Sequence, residues 1–126
     1  MSKLEPDIAT IDEGYWRRFV RRAIAPQPKS DVQRGAPRYP YCTEIKLTFE
    51  DDGRASTRSL TTLNISVTGL TAKGTLEIPM DSEVLLELSP EGSPFLVRGT
   101  VVHCTQTVGG YKIGIDLAFP KGSGEV

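Results

Sequence analysis

The sequence predicts an all-β domain, a six-stranded antiparallel β-barrel preceded by one α-helix. Three observations carry this. Apolar residues recur at helical spacing only between Ile11 and Ile24, alternate with period two in short runs after Pro40, and are separated there by Gly, Pro and Asp punctuation. With 126 residues, 38% hydrophobic and 25% charged, the chain fits one compact domain with a single core.

Residues 1–25 comprise a short tail and an amphipathic helix. Thr10-Ile-Asp-Glu13 matches a capping box, in which a hydroxyl and a carboxylate satisfy exposed amides, so the helix is expected to start there. Ile11, Tyr15, Phe19, Val20, Ala23 and Ile24 form its apolar stripe. Arg17 with Arg21, and Arg18 with Arg22, repeat every four residues elsewhere on its surface. Pro26 and Pro28 end the helix near Ala25. Residues 26–40 hold Pro26, Pro28, Gly35, Pro37 and Pro40 without apolar periodicity, which describes an extended loop, and this loop carries Arg34 and Arg38.

The barrel is expected over 41–120. Cys42 to Glu50 alternates Ile45, Leu47 and Phe49 with polar residues, Asp51-Asp52-Gly53 makes a turn, and Ala55 to Ile65 returns as the second strand. Further strands are read at Gly69 to Ala72, Glu83 to Leu88, Leu96 to Cys104 and Tyr111 to Phe119, with turns at Lys73-Gly74, Pro90 to Pro94 and Val108 to Gly110. Closing such strands into a barrel leaves few edges exposed. Residues 121–126 are a C-terminal tail.

No stretch approaches the roughly 20 apolar residues that span a bilayer, and no secretory signal core is present, so a cytoplasmic location is expected. Cys42 and Cys104 belong to no metal-spaced group and read as small buried apolar side chains. Scattered acids and a single histidine offer neither a paired-carboxylate site nor a metal site, so no enzyme, no catalytic residue and no cofactor are expected. The charge is uneven. Residues 1–38 hold eight Lys and Arg against five acids, a net of +3, and the remainder carries −4. An anionic partner should therefore meet the N-terminal part first.

Two motifs remain, Arg34-Gly-Ala-Pro-Arg38 before the first strand and Asn64-Ile-Ser66-Val-Thr-Gly69 between the second and third. In this order and spacing, within six strands, they resemble the paired signature of the PilZ family of cyclic di-GMP receptors. Phe95 to His103 and Tyr111 to Phe119 look like that family's final hairpin, with Gly114 in the last strand, so the resemblance covers about 34–120. It implies a split barrel with both motifs on one rim and cyclic di-GMP as ligand. Arg34 and Arg38 would grip phosphate and guanine, Asn64 and Ser66 would contact the nucleotide's other face, and Gly69 would leave room for it. Where many relatives have a stacking tryptophan, this chain has His103, which either stacks on guanine or faces solvent; His103 and Gly114 complete the candidate ligand set.

The residue chemistry agrees. Two phosphates and two guanines call for fixed cations and for groups matched to the O6/N7 edge, and arginine's planar fork serves both. Alternation along a strand would put Asn64 and Ser66 on one face with Ile65 in the core. Gly69 suits a positive φ or a close approach. The arginine loop is expected to be mobile until the nucleotide neutralises it, a switch that could reorient the helix. The four arginines of the helix over 11–25 read as a solvated face that could also meet a downstream protein partner, and Trp16 fits either core packing or an interface anchor. An anionic membrane surface is a further reading without other support, and no base-reading motif for nucleic acid is present. The alternative function is an adaptor of the same fold that binds its partner without nucleotide.

Overall fold

The computed structural model describes residues 10–24 and 38–120. They form α1 (Glu13–Ile24), β1 (Tyr39–Pro40), β2 (Glu44–Asp51), β3 (Arg54–Ile65), β4 (Gly69–Gly74), β5 (Glu83–Leu88), a single 3₁₀ turn (Pro90–Gly92), β6 (Phe95–Thr107) and β7 (Gly110–Ala118). Six strands run in the order β3-β2-β5-β6-β7-β4, and pairing of β3 with β4 closes the ring, as the alternating patterns required. Every pairing is antiparallel.

The β2–β3 hairpin turns through Asp52 and Gly53 at φ 59° and 79°, the left-handed pair that a two-residue turn needs to match strand twist. Inward positions fill the barrel with Ile45, Leu47, Leu60, Ile65, Leu70, Leu86, Val97, Val101, Ile113 and Ile115, all nearly inaccessible. Helix α1 plugs one end. Trp16, Phe19 and Val20 are buried, and Phe95 takes edge contacts from Tyr15, Trp16 and Phe19 at ring separations of 5.2, 6.3 and 5.3 Å.

Several boundaries differ from the sequence expectation, each for a local reason. The cap of α1 is Asp12 rather than Thr10: its Oδ1 accepts the Tyr15 amide at 2.8 Å, while the preceding Ile11 amide is held by the Leu96 carbonyl of β6 at 2.8 Å. Tyr39–Pro40, expected in the loop, is a short strand on β3. Between β1 and β2 the chain breaks its ladder, and buried Thr62 of β3 fills the break. Its hydroxyl donates to the Tyr41 carbonyl at 2.6 Å and accepts the Thr43 amide at 2.8 Å. The break leaves Cys42 exposed, not buried, and Cys104 is half-buried. Lys73 and Gly74, read as a turn, extend β4, and β6 runs on to Thr107, because each has a full partner in β7.

Candidate functional site

The barrel register assembles the site. Pro40 lies opposite Asn64, Asn64 opposite Thr71, Thr71 opposite Gly114, and Gly114 opposite His103, a row crossing β1, β3, β4, β7 and β6. Ile65, Leu70, Ile115 and Val101 make the adjacent, inward row. The functional row therefore faces outward.

Two β-bulges adjoin it, at Leu63 in β3 and Val102 in β6. Each adds one residue to its strand, so Thr62 and Ile65 both point inward though three positions apart. Both bulge residues are about 39% exposed, which places two apolar side chains beside the polar row.

Arg38 directly precedes β1, and Thr62's grip on the β1–β2 break holds that segment against β3. The Arg38 guanidinium donates through one nitrogen to Asn64 Oδ1 at 3.0 Å and to Thr71 Oγ1 at 3.1 Å. Thr71 was not singled out from the sequence. It was legible only through register, since nothing in β3 says which residue of β4 lies beside Asn64.

Ser66 follows the end of β3, where alternation no longer applies, and so it does not share Asn64's exposure. It is 1% exposed. Its hydroxyl accepts the Thr68 and Gly69 amides at 3.2 and 3.1 Å, and its own amide donates to the Gly69 carbonyl at 2.8 Å. Ser66 thus folds the turn that ends in Gly69. Gly69 does not have a positive φ. A Cβ there would overlap the Ile115 carbonyl oxygen of β7, so glycine is required by close strand approach.

A Cβ on Gly114 would overlap the His103 ring. The imidazole therefore lies flat across β7 at the far side of the row, half-buried, with Nδ1 lacking a hydrogen-bond partner among the described residues. Arg34 lies outside the described residues.

Trp16 connects this turn to α1. Its indole N–H donates to the Ser66 carbonyl at 2.9 Å in a buried bond. Trp16 is fully buried, so it is not available as an anchor for a partner protein, and Arg17 pairs with Glu13 at 3.1 Å along the helix surface. A cleft of about 680 Å³ between α1, Tyr41 to Thr43 and the Ser89 to Phe95 segment includes none of Arg38, Asn64, Ser66 or Gly69.

The model of the PilZ domain family matches residues 32–124, which spans both motifs and the whole barrel. The chain belongs to the PilZ family. PilZ domains are receptor and adaptor domains of cyclic di-GMP signalling. This PilZ domain is similar to a solved structure, that of the Bacillus subtilis inhibitor of motility (MotI/DgrA), at 14% identity and a TM-score of 0.54 over 77% of this chain and 47% of that one. At that identity the likeness concerns the fold, and the PilZ domain here spans about half of its neighbour's length. Comparison with curated proteins gave no match. Among the described residues no helix is long and apolar enough to cross a membrane, and no group of three or more His, Cys, Asp or Glu could hold a metal ion.

Proposed function

We propose that this PilZ domain binds cyclic di-GMP across the row from Arg38 to His103 and passes occupancy to a protein partner. The observation that carries the reading is the bond from Arg38 to Asn64. Two motifs 26 residues apart in sequence meet through the atoms that would recognise a nucleotide. Arg38 brings a guanidinium suited to phosphate or to a guanine edge, Asn64 adds an amide, and the Ser66 to Gly69 turn supplies close backbone approach. His103 flanks the site with a ring able to stack on a base.

Arg34, the other arginine of the Arg34-Gly-Ala-Pro-Arg38 motif, would supply a second guanidinium to the nucleotide's phosphates. Occupancy then reaches α1 through the Ser66 turn, whose carbonyl is held by Trp16. The fold shared with the inhibitor of motility supports a downstream protein as recipient. A receptor of a soluble bacterial messenger works where that messenger is made, in the cytoplasm.

Titration calorimetry of the wild type, Arg34→Ala and Arg38→Ala tests this. Charge-assisted bonds of about 1.5–3 kcal/mol each predict micromolar or tighter binding, and a loss of roughly 10- to 150-fold for either variant. Absence of heat for the wild type, or affinity unchanged by both substitutions, overturns it.

A further inference from the structure

Beyond the row that holds the two motifs, the next outward positions of β4 and β7 are Lys73 and Lys112, directly opposite one another. Both are exposed. Like charges facing across a strand pair repel, so the arrangement needs an explanation. The flanking residues of the same row do not provide one, because Thr61 lies opposite Lys73 and Thr105 opposite Lys112. Along the strands the outward neighbours are Thr71, Gly110 and Gly114, which bring no carboxylate. Neither lysine makes an ion pair among the described residues. Nor do they guard a strand edge, a common use of lysine in sheets, since β4 and β7 are both paired on two sides.

Their position relative to Arg38 gives the pair a use. The Arg38 guanidinium is anchored on Thr71, Lys73 is two residues along β4, or about 7 Å, and Lys112 is one strand over from Lys73, about 5 Å from it and roughly 8–9 Å from Thr71. Each ammonium sits on a flexible four-carbon stem, so all three cations can reach one phosphate lying over Thr71. Lysine acts as a point charge without arginine's fork and does not discriminate among base edges.

We infer that Lys73 and Lys112 form an anion subsite that takes phosphate oxygens of the dinucleotide held at Arg38. The inference rests on the cyclic di-GMP reading above. It adds that affinity is shared between two regions: arginine and asparagine select the base, and the lysine pair contributes charge alone.

Calorimetry of wild type, K73Q/K112Q and K73R/K112R with cyclic di-GMP and cyclic di-AMP, at low and high salt, tests it. For the glutamine pair we expect roughly tenfold weaker cyclic di-GMP binding, a shallower salt dependence and an unchanged preference between the two nucleotides, with the arginine pair restoring affinity. Thermal unfolding of these exposed variants should match the wild type. If Arg38→Ala abolishes binding while K73Q/K112Q keeps wild-type affinity and salt dependence, the lysine subsite is wrong and the receptor reading stands. If the wild type binds no nucleotide, both fall.

Discussion

At Gly69 and Gly114 the barrel excludes a Cβ for different reasons, and the difference is measurable. A methyl group at position 69 meets a backbone carbonyl of β7, which can move only by displacing a strand. At position 114 it meets the His103 ring, a side chain that can rotate away. Gly69→Ala should therefore lower stability by about 1–3 kcal/mol, whereas Gly114→Ala should cost less and instead shift the His103 ring resonances. Urea unfolding gives the first result and proton–carbon NMR spectra the second. Equal urea midpoints for the two variants would contradict this ordering.

Single elements carry the contacts that tie the site to the rest of the chain. Replacing the Asp12 cap of α1 by alanine should cost about 1 kcal/mol, while Thr10→Ala should leave the unfolding midpoint where it is. Trp16→Phe keeps an aromatic ring in the plug but leaves the buried Ser66 carbonyl without its indole donor, a loss of about 1–3 kcal/mol in urea unfolding. If the turn carries occupancy to α1, the same variant should also weaken cyclic di-GMP in calorimetry. The six barrel strands, the hairpin at Asp52-Gly53 and both motifs were legible in the sequence, because period, turn chemistry and arginine spacing are local. The bulges at Leu63 and Val102 were not: alternation assumes that each residue faces a single partner, and a bulge breaks that count. Thr71 and the lysine pair stayed hidden for a related reason, since only pairing between distant strands brings Thr71 beside Asn64 and sets Lys73 opposite Lys112. Thr10 was the cap read from the sequence, and Asp12 takes that place because the Ile11 amide is bonded to β6, a tertiary contact.

Across the whole molecule, α1 and the barrel share one core, so they should unfold together. The chain has a single tryptophan, fully buried where α1 meets the barrel, so its fluorescence reports helix docking while far-UV circular dichroism reports mainly strands. The two denaturation curves should coincide. A fluorescence transition at lower urea would mean that the helix detaches first and that the plug is a separate cooperative unit.

The ring of strands has no seam, because the β3–β4 ladder joins its two ends. A cylinder bonded all the way round resists being spread or sheared by a small molecule resting on its outside wall. If the proposed nucleotide binds there, its effect is expected at the mouth of the cylinder, where the Ser66 turn touches its stopper. On the proposed receptor reading, the output of this domain would be a change in how tightly the stopper sits, and partners that sense it would do best to grip that end.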